Sequence, residues 1–412
     1  MSTTLTGYDV AAVRASFPAL DGGAAHFDGP GGSQTPASVA GRIRDTLVRP
    51  HSGRGSVTTA QRNAEQAVVD GRSAIADLLG VEPEGVVFGR SATQNTFDMA
   101  RTIAKDWSPG DEVVVSRLDH DSNVRPWLLA AESVGATARW ADFDPETGEL
   151  EAHHVEAVLT SRTRLVALTA ASNLIGTVPD LPVIADLVHA AGAWLYVDGV
   201  HYAAHEAVDV AALGADFFAC SPYKFLGPHC GALYGRPDLL ERLRPDKLLR
   251  SPDVVPERFE LGTLPYELLA GTTAAVDFLA GLIPDQDPAA SRRERLLTSM
   301  AAYHDHESGL TRQVEELLLA LPGATLHSRA RTRTSTLLVT FAGHDSADVS
   351  RHLATQGVNT PAGVFYCHEA SRVLGLGDRG GLRIGLAPYT DQSDLERLRV
   401  GLESWFESVR SP

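Results

Sequence analysis

Between residues 85 and 235 short apolar runs alternate with amphipathic segments, and this rhythm constrains the chain more than any other feature. VVFG, DEVVVSRL (ending at Leu118), LVALTA, WLYVDG, DFFACS and GALYG are short and rich in the β-branched and aromatic residues that suit strands. Repetition of strand, loop, helix and strand predicts an α/β fold with a mostly parallel sheet. In such sheets ligands bind outside the carboxyl ends of the strands. Ser91, Thr93, His120, Asn173, Asp198 and Lys224 all fall at such ends. Unrelated core or surface residues would not be expected to gather on one edge.

Lys224 lies in DFFACSPYKFLGPHCGALYG, which reads as strand, tight loop rich in Pro and Gly, and strand. An amine held between two buried strands loses hydration, which lowers its pKa and makes it a better nucleophile. That is where a Schiff-base lysine belongs, although a solvated loop lysine is the commoner case. Asp198 shifts the balance, because a carboxylate at a strand end is a partner for a pyridinium nitrogen, and the two together suggest pyridoxal phosphate. Ser91, Thr93 and the first amides of a helix starting near Thr93 or Gln94 would make an anion site, or Ser and Thr are ordinary helix caps. His120 is placed to stack on a flat ring or is incidental to its loop.

At 412 residues and 43% hydrophobic the chain is long enough for two domains. Short helices are expected over 8–20, stopped by Pro18, and 36–50, and an amphipathic one over 62–79. Between them, His51 and Arg54 lie on a polar segment that is either an exposed connection or an active-site flap. After LIPDQDPAASRRERL, a linker or bent helix start, the character changes. A long helix through Leu319, the strand TSTLLVTF, the helix ADVSRHLATQG, the loop TPAGVFYCHEASRVLG, the strand GLRIGLA and a closing helix predict a small α/β domain. The expected division is 26–284 as the large domain and 1–25 with 285–412 as the small one.

A net charge of -16 argues against nucleic acid and anionic membranes as partners. The N-terminal segment has no basic region followed by an apolar one, and no window offers 18 apolar residues in a row, so a cytoplasmic protein is expected. Three scattered cysteines, Cys220, Cys230 and Cys367, make neither a disulfide framework nor a metal site. No GxGxxG follows the first strand, which counts against a nucleotide-binding oxidoreductase on a similar sheet.

The runs DHDSNVRPW, SNLIGT, VDGVH and SPYKFLGP, in that order, resemble the fold-type I pyridoxal-phosphate enzymes of aminotransferase class V. Within that family the likeness is to the cysteine desulfurase and selenocysteine lyase group, and it runs from FDGPGGSQTP to GLRIGLAPYTDQSDLERL. The resemblance implies a large seven-stranded sheet domain, a small C-terminal domain and a homodimer. It implies that Lys224 carries the cofactor as a Schiff base and shuttles protons, that Asp198 keeps the ring nitrogen protonated, and that His120 stacks on the ring. Asn173 and His201 would lie near the phenolic oxygen. Ala92, Thr93, Ser221 and Tyr223 would hold the phosphate, with Thr263 reaching in from a second subunit. Arg383 would clamp the substrate carboxylate; Asn173, and His51 and Arg54 if their segment is an active-site flap, are the further residues expected to meet the substrate.

Some positions depart from the standard desulfurases. His201 stands where Gln is usual and Tyr223 where His is usual. Aligned on Gly363, Tyr366 takes the place of the sulfur-accepting cysteine, and Cys367 follows one residue later, either bulged into place as a persulfide carrier or buried and inert. The expected activity is therefore a C–S lyase acting on L-cysteine or a cysteine S-conjugate, with an epimerase or aminotransferase as the alternative. A sulfur-acceptor protein is a further conceivable partner. An inactive relative serving as a scaffold is disfavoured by the joint presence of Lys224 and Asp198.

Overall fold

The structure is a computed structural model that describes residues 7–409. In chain order its strands are β1 (Ala25–His26), β2 (Val86–Gly89), β3 (Glu112–Ser116), β4 (Thr137–Ala141), β5 (Thr163–Thr169), β6 (Trp194–Asp198) and β7 (Phe217–Cys220). They continue as β8 (Gly231–Gly235), β9 (Ala324–Leu326), β10 (Thr336–Phe341), β11 (Val358–Asn359), β12 (Ala362–Gly363) and β13 (Gly381–Gly385).

The large sheet has seven strands in the order β2-β8-β7-β6-β5-β3-β4. Only β8 runs against its neighbours, β2 and β7, and the other pairs are parallel. Both faces are covered, which explains runs that are apolar throughout. Along β3, Val114 packs into one core while Val113 and Val115 pack into the other, as the two-residue period of a strand requires. Trp127, Met99 and Ile103 cover the second face, and the helices Thr59–Leu79 and Leu181–Ala190 cover the first.

Helix starts follow their caps. Thr58 and Gln61 form a capping box, so the helix expected from 62 begins at Thr59. Ser91 accepts from the Gln94 amide and starts the next helix at Ala92. Ser291 and Glu294 likewise open Arg292–Leu319 directly after the proline-rich turn. Near the N-terminus the expected single helix is a short one, Val10–Arg14, followed by a 3-10 turn that begins at Pro18. The strand expected to reach Leu118 stops at Ser116, whose neighbourhood turns toward the buried Asp119.

The C-terminal part carries a four-stranded antiparallel sheet, β12-β13-β10-β9, two strands more than the sequence analysis names, because β9 is only three residues long and β12 lies inside the expected loop 360–375. That loop also holds the helix His368–Val373. A separate core of Ala25, Phe27, Val314, Leu337, Ile384 and Leu398 lies beneath the sheet, and β1 pairs in parallel with β11. We propose a division close to the expected 26–284 against 1–25 with 285–412, with His26 and Phe27 falling on the small side because they pair and pack with it; 1–6 and 410–412 lie outside the described residues. Among the described residues no helix is long and apolar enough to cross a membrane.

One buried ion pair ties the edge of the large sheet to its helices. Arg72 meets Glu260 through two bonds of 2.9 and 2.7 Å, and Glu260 also accepts from the Phe88 amide on β2. Paired and hydrogen-bonded, the two charges offset much of the cost of burial.

Candidate active site

β7 ends at Cys220, and Pro222 opens a 3-10 turn that delivers Lys224 beside the carboxyl ends of its neighbours. Its Nζ donates to the carbonyl of Pro30, in the glycine-rich corner Gly29–Gly31. That corner is locked from behind, because a Cβ on Gly385 would lie 2.1 Å from Pro30 and the Gly385 amide donates to Phe27. Burial, and then the Arg383 charge, pull the Lys224 pKa down to about 7 against the opposing pull of Asp198. The amine is thus available as a nucleophile near neutrality.

Asp198 closes β6 and accepts from the Val200 amide at 2.9 Å. Burial raises its pKa, and that bond and Lys224 oppose the rise. Ala92 and Thr93 open a helix of 13 residues, and as its first two residues their amides have no partner within the helix. The approach of β8 to this helix end is so close that a Cβ on Gly231 would lie 2.4 Å from the Ala92 nitrogen. Ser221 and Tyr223 line the same cavity.

His120 has its Nδ1 occupied by the Ser122 amide at 3.0 Å and by the Ser122 hydroxyl at 2.7 Å. Burial, helped by the charges of Lys224, Arg383 and His368, lowers its pKa to about 4, so the ring is neutral. Tyr366 sits over it with ring centroids 5.3 Å apart. His201, 3% exposed, lines the cavity with Nδ1 unpartnered.

Ala92, Thr93, His120, Asn173, Asp198, His201, Ser221, Tyr223 and Lys224 thus share one cavity. Arg383 lies just behind it. Its Nη1 donates to the Asn173 carbonyl at 2.9 Å, and Phe365 covers the flat of its guanidinium at 3.6 Å. Its Nε has no partner, and burial brings its pKa down to about 10. Phe365 and Tyr366 both have positive φ, 50° and 60°, a backbone state costing on the order of 1–2 kcal/mol per residue. The Asp121 amide, donating to the Tyr366 carbonyl at 2.8 Å, helps to hold them. Cys367 is fully buried and donates from Sγ to Asn173 Oδ1 at 2.9 Å.

Besides Arg383, three expected residues do not line this cavity, Thr263 among them being expected from a second subunit. Arg54 is engaged by Glu65 on two bonds and by Glu257 on a third, which hold its charge in place away from the site. His51 is exposed and donates to the Arg49 carbonyl. Thr263 is exposed on the turn before Tyr266. Conversely, Ser122 and Thr169 line the cavity without having been singled out. Thr169 ends β5, so the strand-end rule that points to Asp198 would have found it.

These side chains fit pyridoxal phosphate. There is a deprotonatable amine for its aldehyde and a buried carboxylate for its ring nitrogen. Free helix amides could receive its phosphate, and an unpartnered ring nitrogen of His201 could meet its oxygen. Among the described residues no cluster could hold a metal ion.

Residues 25–398 match the family model for Aminotransferase class-V. An uncharacterized protein of Mycobacterium tuberculosis, MT3887, is 35% identical over 96% of this chain and 99% of its own length. A cysteine desulfurase of Dickeya dadantii is 30% identical over 98% of both chains. Among solved structures, the cysteine desulfurase CsdA of Escherichia coli superposes with a TM-score of 0.86 at 26% identity, covering 97% of this chain and 99% of that one.

Proposed function

The chain belongs to the class V aminotransferase family and is a pyridoxal-phosphate-dependent, cysteine desulfurase-like enzyme, and from that premise we propose that it is a C–S lyase of cysteine S-conjugates. The observation that carries this reading is the position of Cys367. Its thiol is buried against Asn173, and burial pushes its pKa up to about 12. A thiol must ionise and be reached to accept sulfur from a substrate. Tyr366, next to Cys367 in that loop and over His120, is 67% accessible and carries no sulfur. Sulfur therefore leaves with its own substituent and is not handed to the protein.

Bound in the cavity, pyridoxal phosphate supplies an electron sink that acidifies the Cα–H of an amino acid. Asp198 holds the proton at the ring nitrogen, and its burial keeps water from competing for it. Arg383 receives the substrate carboxylate on the N–H edge that Phe365 leaves open. Lys224, whose amine would hold the cofactor, would take the Cα proton at Nζ. Thiolate departure from Cβ and hydrolysis then convert R–S–CH2–CH(NH3+)–COO− and water into R–SH, pyruvate and ammonium. Thr263 and the exposed Leu248, Leu249 and Leu261 near it in sequence suit a face shared with a second copy, so the working enzyme is read as a homodimer.

The test is product analysis with purified holoenzyme. Pyruvate and free thiol in equal amounts from an S-alkyl or S-aryl cysteine, abolished in Lys224→Ala, support the lyase. Alanine with sulfide from free L-cysteine, lost in Cys367→Ser, sinks it in favour of a desulfurase.

A further inference from the structure

A buried polar chain leads away from the cavity on the side of His201. Nε2 of His201 lies 2.8 Å from the Thr336 hydroxyl and 3.2 Å from that of Thr334. Its ring meets the His205 ring edge-on, with centroids 4.6 Å apart. His205 Nδ1 is 2.8 Å from Glu307 Oε1, and Glu307 also accepts from the Tyr303 hydroxyl at 2.8 Å and from the Ser335 hydroxyl. His201, His205 and Glu307 are each under 5% exposed.

A carboxylate in such a place is expensive unless every neighbour answers it. Burial alone would raise the pKa of Glu307, yet the His205 charge and the bonds from His205, Ser335 and Tyr303 leave it below the usual value. An ionised Glu307 only accepts, so His205 Nδ1 is the donor of that bond. Burial, and then the charges of His205, Lys224 and Arg383, keep His201 neutral. A neutral imidazole has one N–H. If the threonine hydroxyls donate to Nε2, the proton is on Nδ1, the nitrogen without a partner on a ring that lines the cavity. The opposite tautomer would aim a lone pair at the cofactor's phenolic oxygen.

We infer that Glu307 is a positioning residue for the cofactor. It anchors His205, and His205 with Thr334 and Thr336 fixes His201, which then presents Nδ1–H to the phenolic oxygen of bound pyridoxal phosphate. Glu307 and Ser335 also line a cleft of about 200 Å³ with His304 and Arg333, so the chain runs from the cofactor to solvent. Resting on the cofactor assignment alone, and not on the lyase reading, this role of Glu307 shows before any substrate is added.

The readout is the pH midpoint at which the visible band of the holoenzyme changes form. The groups facing the cofactor are Lys224, Asp198, His120, Tyr223 and His201, with Arg383 and Cys367 behind them. Those facing Glu307 are His205, Tyr303, Tyr8 and His304, with Glu206, Arg312, Glu315 and Arg333 around the cleft. Glu307→Gln is expected to move the midpoint by on the order of half a pH unit and to speed loss of cofactor on dialysis. In a His201→Gln background, where an amide donates without any tautomer to fix, the same change is expected to move neither.

An unchanged midpoint in Glu307→Gln overturns the inference, and so does an equal shift in both backgrounds, which would mark a merely structural role. Should Glu307→Gln not fold, His205→Asn is read the same way. A shift confined to the His201 background supports the chain, and no shift overturns it.

Discussion

The Cys367 thiol donates to the Asn173 side-chain oxygen at 2.9 Å, and this bond turns the sulfur of the active-site loop into a structural donor. Asn173 spends its amide nitrogen on the Phe365 carbonyl, so the same side chain fastens the loop at two points. A neutral bond of this kind contributes about 1 kcal/mol, and a hydroxyl can replace the thiol in it, so Cys367→Ser should retain turnover of an S-conjugate within roughly fivefold. Cys220 and Cys230 are buried as well. An aromatic disulfide reagent should accordingly find no fast thiol in the folded protein and three after unfolding. One fast thiol, lost in Cys367→Ser, would count against the buried assignment.

Cofactor uptake by the apoenzyme should follow the ionisation of Lys224. Below about pH 7 the amine carries a proton and cannot attack an aldehyde, and above it the lone pair is free. The rate of incorporation, normalised to that of a free amine, should rise through that pH and level off, whereas an unperturbed lysine would still be rising near 10. Because the Asp198 charge raises this pKa, Asp198→Asn should move the midpoint lower. Stopped-flow absorbance follows both.

Arg383→Lys keeps a charge but loses the planar edge that matches a carboxylate. Charge-assisted bonds are worth about 1.5–3 kcal/mol, so kcat/KM for an amino acid should fall roughly 10- to 100-fold. The visible spectrum of the holoenzyme should stay as it was, since Arg383 lies behind Asn173 and not in the cavity lining. Steady-state kinetics and a spectrum on one preparation separate the two effects.

Gly231→Ala places a methyl 2.2 Å from the Ser91 carbonyl carbon and 2.4 Å from the Ala92 nitrogen. Backbone cannot yield as a flexible side chain does, and overpacking of this kind costs about 1–3 kcal/mol. The displaced group is the helix end assigned to the phosphate, so the cofactor should dissociate roughly tenfold more readily per 1.4 kcal/mol lost there. Equilibrium dialysis reads the change, and an unaltered affinity would remove the helix end from the site.

Arg72→Leu strands Glu260 in the interior beneath β2. Removing one partner of a buried pair costs about 3–5 kcal/mol, and chemical denaturation should show a loss of that size. Replacing both, as Arg72→Leu with Glu260→Gln, should cost less than either single change implies, because no unpaired charge remains.

What could be read from the sequence was whatever depends on period and punctuation. Strand ends are local, so Asp198, Asn173 and Lys224 were placed on one edge by their own neighbours. The ion pairs of Arg54 were out of reach because Glu257, one of its partners, is 203 residues away in the chain. The stacking of Phe365 on Arg383 was equally out of reach, since it depends on two successive positive φ angles in residues other than glycine. Glu307 gave no signal at all. It sits within a long helix like any surface glutamate, and only the packing of His205 and Ser335 against it marks it as buried.

Every residue lining the cofactor cavity comes from one unbroken stretch, Ser91 to Lys224, whereas the corner at Pro30 is held through the pairing of β1 with β11 and the contact with Gly385. Units of a chain generally fold in the order in which they are made. A ribosome part-way through this message would thus carry a large sheet already furnished for pyridoxal phosphate, and an early N-terminal strand still waiting for Val358. The nascent protein would gain the means to hold a reactive aldehyde before the means to hold an amino acid, so its chemistry would begin only when the last strand arrives.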